Sequence, residues 1–107
     1  MKIVFILFVL VHGLIHLMGF VKAFGLSDVK ELTLSISRQW GTVWLISFVL
    51  FALVATLFAL SYNYWWVLGI IAVLVSQILV FYFWKDARFG TIANMIILIV
   101  MIIQFGK

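Results

Sequence analysis

Four long apolar segments, separated by a few charged residues, constrain this chain more than any other feature. The charged residues that bound the segments are Lys2, Lys22, Arg38, Lys85, Arg88 and Lys107. Only 9% of the 107 residues are charged and 68% are hydrophobic, whereas a soluble domain usually carries about 25% charged residues. Each segment approaches the roughly 20 residues with which a helix crosses a bilayer core. The sequence therefore predicts one integral membrane domain over residues 1–107.

The four segments are predicted as helices of an all-α, integral membrane, up-and-down four-helix bundle. Their expected bounds are about 3–24, 40–60, 65–84 and 89–105. The connections after the second and third segments are short, which favours antiparallel neighbours. Small residues recur along each segment, as at Gly19 and Ala55, and such residues let helices approach closely in lipid.

The connection between the first two segments is expected to hold a short interfacial helix. Gly25 is placed to end the first membrane helix, and Ser27 can cap a new one. Val29, Leu32 and Ile36 would share one face of that helix, as in helices that lie at a membrane surface. The alternation of apolar and polar residues also fits a strand, but an open strand edge is excluded at membrane depth.

Basic residues predict the orientation in the inner membrane. Lys2 and Lys107 lie on one side of a four-span bundle, and the other side has Lys22, Lys30, Arg38, Lys85 and Arg88. The positive-inside rule then places the first and third connections in the cytoplasm and both termini outside. The first segment is interpreted as a retained helix, because it is longer than a signal peptide's apolar region and two histidines interrupt it.

Two histidines one helical turn apart, His12 and His16, lie inside the first segment. A polar side chain in hydrocarbon must find a partner, line a cavity or serve a function. Gln77 and Asn94 fall at a similar depth on two other helices, about 8–12 Å from one membrane surface at 1.5 Å per residue. Three helices thus contribute hydrogen-bonding groups to one layer, and Trp84 flanks it.

We therefore predict a binding site in the cytoplasmic half of the bundle for a quinone-like or lipid-like molecule. The candidate ligand-binding residues are His12, His16, Gln77, Trp84 and Asn94. Asp86 and Arg88 are expected at the mouth of this pocket. No catalytic triad or phosphate-binding glycine loop is present, so the sequence specifies no reaction.

A structural role is the alternative from a different class. Asparagine and glutamine often bond across membrane helices, and a bond from His16 to Gln77 or Asn94 would satisfy these side chains without a ligand. The chain would then be a structural or assembly subunit, in a homo-oligomer or a larger membrane complex. Nucleic-acid binding is not expected, because the seven basic residues form no basic stripe and suit membrane orientation instead.

A metal or haem site formed by His12 and His16 is a third, minor alternative. Zinc needs three or four protein ligands, yet the chain has no cysteine and the apolar segments contain no carboxylate. Two histidines on one helix face cannot bind opposite sides of one haem iron, so bis-histidine haem would require a homo-oligomer.

Residues 12–25 and 84–94 resemble parts of small bacterial four-helix membrane proteins. The first stretch, with His12, Gly13, Lys22 and Gly25, is also similar to the DoxX-like superfamily, whose first helix often carries an apolar-His-Gly segment followed by Lys and Gly. His16 stands where that pattern has a basic residue. The superfamily includes a subunit associated with a thiosulfate:quinone oxidoreductase. The resemblance implies a four-helix membrane bundle and an association with quinone or redox chemistry.

Overall fold

The computed structural model describes residues 2–30 and 32–105, and its regular elements there are all helices. They are α1 (Lys2–Ala23), α2 (Arg38–Ala59), α3 (Trp65–Tyr82), α4 (Trp84–Ala87) and α5 (Gly90–Phe105). The helices α1, α2 and α3 are long and apolar enough to cross a membrane, and α5 is a shorter apolar helix. The all-α prediction is confirmed, and the four predicted segments agree with the observed helices to within two residues at each end. Lys107, used in the orientation argument, lies outside the described residues.

Helices α1 and α2 pack against each other in opposite directions. Near the start of α1, Lys2 Nζ donates a hydrogen bond of 2.8 Å to Ser61 Oγ, which follows the end of α2. At the other end, Gly41 lies so close to Ala23 that a Cβ added to this glycine would be 2.2 Å from the alanine Cβ. Small residues therefore permit the close approach expected of helices in lipid.

The following helices continue this alternation of direction. The rings of Trp40, at the start of α2, and Tyr82, at the end of α3, stack with centroids 4.2 Å apart. Gln77, near the end of α3, donates to the hydroxyl of Thr91 at the start of α5. The described chain is 42 Å long and about 22 Å wide, a length that suits a bilayer with its headgroups, about 40–45 Å.

The predicted interfacial helix between α1 and α2 is wrong for the described residues of this connection, which contain no helix. Gly25 does end α1, as expected. It adopts a left-handed φ of +66° and donates to the carbonyl of Lys22, while Leu26 N–H donates to the carbonyl of Val21. Ser37, not Ser27, caps the next helix, since its hydroxyl accepts from Trp40 N–H at 3.2 Å.

Side chains from distant parts of the sequence explain why this connection is extended. Lys22 Nζ donates to the carbonyls of Leu32 and Leu34. The carboxylate of Asp86 accepts from the backbone N–H groups of Thr33 and Leu34, both at 2.8 Å, and from the Thr33 hydroxyl at 2.6 Å. We call residues 32–34 the clamped segment. Lys22 satisfies two of its carbonyls and Asp86 two of its N–H groups, and these bonds replace the intrahelical bonds of a helix.

Two apolar clusters and a polar layer between them form the interior. The larger cluster includes Phe5, Phe51, Trp65 and Met101, toward the end of the bundle at which α1 begins. The smaller cluster contains Trp44, Leu79 and Phe83, toward the clamped segment. The buried polar side chains are His12, His16, Ser47, Ser76 and Asn94. The polar groups therefore meet inside the bundle, away from lipid.

Candidate functional site

Both histidines of α1 point into the bundle, where their side chains are at most 5% exposed. The i, i+4 spacing puts the two rings on one face, and they meet edge to face with centroids 4.7 Å apart. His16 Nδ1 lies 2.7 Å from the backbone carbonyl oxygen of His12, and His16 Nε2 lies 2.7 Å from Ser76 Oγ on α3. Phe51 of α2 packs against both rings. Each imidazole is thus held by bonds and by ring contacts.

Asn94, on α5, connects the helices at the centre of this layer. Its Oδ1 is 2.8 Å from His12 Nε2, and its Nδ2 donates to Ser76 Oγ at 3.1 Å and to Gln77 Oε1 at 2.9 Å. Gln77 Nε2 donates in turn to Thr91 Oγ1 at 3.0 Å. We call these six side chains, His12, His16, Ser76, Gln77, Thr91 and Asn94, the polar network. It joins α1, α3 and α5.

The structure brings together four of the five predicted ligand-binding residues, but with different pairings. His16 bonds to Ser76, whereas the structural alternative paired it with Gln77 or Asn94. Ser76 is absent from the predicted set, although serine in a membrane helix often bonds across helices, and this tendency was the available signal. Trp84 lies apart from the network. It is 47% exposed and stacks on Phe81.

A cavity of about 250 Å³ lies beside the polar network, at the end of the bundle where α1 ends and α5 begins. Its wall includes both imidazoles and Trp44, together with Leu79 and Val80 of α3. Around these, the lining continues with Ile15, Met18, Leu32, Asp86, Ala87, Phe89 and Gly90. Most of this surface is apolar, and its few polar groups include the histidines singled out from the sequence.

Asp86, which is predicted at the mouth of the pocket, belongs to the lining of this cavity and also binds the clamped segment. Burial alone would raise the pKa of its carboxyl group. The bonds from the Thr33 hydroxyl and the Leu34 and Thr33 amides, with the charge of Lys22 nearby, outweigh burial and leave the pKa below its ordinary value. Arg88, the other residue predicted there, is exposed and is absent from the lining.

Asp86→Ala is expected to loosen the clamped segment. Alanine has no side-chain acceptor, so the three donors that Asp86 now satisfies lose this partner. Limited trypsin digestion at the exposed Lys30 should then proceed at least about tenfold faster than in the wild type, because the loss of one hydrogen bond alone corresponds to about this factor. Asp28→Ala, at an exposed position of the same connection, is the matched control and should cleave at the wild-type rate.

The sign of the pH dependence follows from the lowered pKa of Asp86. The carboxylate's contribution to holding the clamped segment is fully present above the ordinary pKa of aspartate. It is lost as the pH falls through the lowered pKa of Asp86. Cleavage at Lys30 by an acid-tolerant lysine-specific protease should therefore accelerate only in strong acid. Equal cleavage of both variants and the wild type would show that Asp86 does not hold this segment.

The ligand count for a metal site is low. Within residues 2–30 and 32–105, no group of three or more histidine, cysteine or acidic side chains is placed to hold a metal ion. His12 and His16 provide two imidazoles, fewer ligands than zinc sites use. Three of the four ring nitrogens are also engaged in hydrogen bonds.

Comparisons with protein-family models, with curated proteins and with solved structures give no match for this chain. The DoxX-like resemblance has no support among them. The polar network and its cavity are therefore the observations that bear on function.

Proposed function

We propose that this small multi-span membrane protein binds the ring-sized head group of a quinone-like or lipid-like molecule in the cavity beside His12 and His16. The observation that carries the proposal is the cavity itself, because it lies within a bundle of apolar helices and its wall includes two buried imidazoles. Polar groups at such a position are typical of binding or transport sites in membrane proteins.

The volume of the cavity limits the size of the bound group. A dry protein cavity of about 150 Å³ accepts benzene, so about 250 Å³ accommodates one six-membered ring with small substituents. A haem or a complete phospholipid is too large. A long apolar tail would therefore remain outside, in the bilayer.

The rim of the cavity supports entry from the membrane. Ile15 and Phe89 belong to the lining and are also 51% and 69% exposed on the apolar outer surface of the bundle. A ligand dissolved in lipid would reach the cavity between these side chains without passing through water. Its tail would then lie against α1 and the start of α5.

For the orientation, we propose that the clamped segment and α4 face the cytoplasm. The bond between Thr33 and Asp86 places the first and third connections at the same end, and this end carries the five basic residues Lys22, Lys30, Arg38, Lys85 and Arg88. A reporter enzyme that is active only outside the cytoplasm should accordingly be active when it is fused to the C-terminus. A fusion that is expressed but inactive would reverse the assignment.

A structural or assembly role is the second candidate, and the closed pattern of the polar network favours it. Asn94 alone bonds to three network side chains, which would hold α1, α3 and α5 together without a ligand. The two candidates differ in whether the cavity binds a small molecule.

A cavity-filling variant distinguishes the two candidates. A short-chain alkyl-1,4-benzoquinone at a hundredfold excess over its Kd should stabilise the wild-type protein in detergent by about 2.7 kcal/mol. Ala87→Phe places a ring in the cavity and should abolish this stabilisation, while the variant alone unfolds at the wild-type temperature. Ala59→Phe, the same change at an exposed residue outside the lining, should respond as the wild type does. No stabilisation of the wild type, or an equal response of Ala87→Phe, would favour the structural role.

A further inference from the structure

Hydrogen-bond directions within the polar network determine where each histidine carries its proton. The polar network contains no carboxylate, and the carboxylate at the cavity, Asp86, is bound by Thr33 and Leu34 and lies near the charge of Lys22. An imidazolium in the network would lack a counter-charge of its own, so both rings are neutral. The backbone carbonyl of His12 can only accept, hence His16 Nδ1 carries the proton and donates to it. His16 Nε2 is then the unprotonated nitrogen, and it accepts from the Ser76 hydroxyl.

The same reasoning extends to the other histidine. The Asn94 amide nitrogen donates to Ser76 Oγ and Gln77 Oε1, so both of its hydrogens are used. Asn94 Oδ1 is therefore the atom that faces His12 Nε2, and this oxygen can only accept. His12 must carry its proton on Nε2. Its Nδ1 consequently presents a bare lone pair.

This lone pair has no partner among the described residues, and it is not fully buried. Nδ1 of His12 makes no hydrogen bond among the described residues, and the fully buried unpaired side-chain atoms there are Trp44 Nε1 and Ser47 Oγ. The ring edge of His12 also approaches another lining residue. A Cβ added to Gly90 would be 4.0 Å from His12 Cε1, the carbon between the two ring nitrogens.

The polar side chains of the cavity wall, among the described residues, can accept hydrogen bonds from a ligand but cannot donate hydrogen bonds to it. His12 contributes the open Nδ1, and both nitrogens of His16 are already engaged. The indole N–H of Trp44 is fully enclosed. Asp86 is a carboxylate at neutral pH and can only accept. A ligand carbonyl would therefore meet no side-chain donor, whereas a ligand hydroxyl would meet an acceptor.

We infer that the cavity selects a neutral ring compound with a hydroxyl group that donates to His12 Nδ1, so that a hydroquinone or phenol binds in preference to the quinone. This inference rests on the proposed function and makes it specific. One hydrogen bond to a buried acceptor contributes about a tenfold change in Kd. The preference concerns binding alone, and no electron or proton transfer to the protein is involved.

Three forms of one alkylated ring test the inference: the hydroquinone, the quinone and the hydroquinone dimethyl ether. Their Kd values would be measured by calorimetry in detergent without oxygen. The hydroquinone is expected to bind about tenfold more tightly than either of the others. Equal Kd values for the three forms would overturn the inference and leave the proposed function intact. Absence of binding by all three would refute the proposed function as well.

His12→Phe removes the open nitrogen. Phenylalanine keeps a flat ring at this position but has no nitrogen, so it offers the ligand hydroxyl no acceptor. This variant should bind the three forms with equal Kd, and it should unfold at a lower temperature than the wild type because Asn94 Oδ1 loses its donor. A retained tenfold preference would contradict the inference.

A second measurement needs no variant and no ligand. Nitrogen-15 NMR of the two histidines distinguishes protonated from unprotonated ring nitrogens. We expect the proton on Nε2 of His12 and on Nδ1 of His16. A proton on Nδ1 of His12 would overturn the inference, whether or not His12→Phe folds.

Discussion

Replacing Asn94 with leucine is expected to lower the free energy of unfolding by about 3 kcal/mol. Asn94 is 1% exposed and makes three hydrogen bonds to network side chains. Leucine has a similar size but leaves His12 Nε2 and Gln77 Oε1 without this partner. Each buried polar group that loses its partner costs about 1–3 kcal/mol. Reversible unfolding in mixed micelles, followed by circular dichroism, measures the change.

The neighbouring residue provides the control for this prediction. Met95 is 51% exposed on the outer face of the same helix, so Met95→Leu should change the free energy of unfolding by less than about 0.5 kcal/mol. If Asn94→Leu proves as stable as Met95→Leu, the polar network does not hold α5 against α1 and α3.

Gly19→Ala is expected to destabilise the bundle by a similar amount, about 3 kcal/mol, through overpacking. A Cβ added to Gly19 would lie 2.1 Å from Cδ2 of Trp44, well inside the contact distance. Trp44 is itself buried and packs against Phe83, so its ring has little space into which to move. Because Trp44 also lines the cavity, any tilt of its ring should weaken binding of the benzoquinone probe.

Gly13→Ala is the matched control on the same helix. Its added Cβ would be 3.0 Å from Phe51 Cβ, a contact that requires a shift of only a few tenths of an ångström. The destabilisation should therefore be clearly smaller than for Gly19→Ala. Equal stabilities of the two variants in the same unfolding assay would show that α1 and α2 are not in tight contact at Gly19.

The helices could be predicted from the sequence because lipid leaves few alternatives. In lipid, the backbone N–H and C=O groups of an apolar segment must bond to one another, so the segment forms a helix. The limits of each apolar segment therefore indicate where its helix begins and ends. The extended connection could not be predicted in this way. Its conformation depends on Asp86, which follows Thr33 by 53 residues, and local pattern does not show that contact.

The candidate site was predictable in its members but not in its bonds. Depth along each helix placed His12, His16, Gln77 and Asn94 in one layer, and the structure brings them together. The pairing of His16 with Ser76 depends on the rotation and register of α1 against α3, which side-chain packing determines. Trp84 is predicted to flank the layer, but α4 begins at this residue and its side chain is 47% exposed.

The larger groove at the opposite end of the bundle is the competing location for an apolar ligand. It has a volume of about 1010 Å³, and its lining includes Lys2, Phe5, Trp65 and Gln104. A probe that stabilises the protein from this groove would mimic part of the expected result. Binding must therefore be located as well as detected.

The most direct test uses the fact that the chain has only two histidines. With histidine labelled by carbon-13, the imidazole protons of His12 and His16 are the only ring signals observed from the protein. We predict nuclear Overhauser effects from the ring protons of bound alkyl-hydroquinone to Hε1 of His12, and their loss in Ala87→Phe. Saturation of the protein with this probe, without any such effect at either imidazole, would contradict the assignment of the cavity as the binding site.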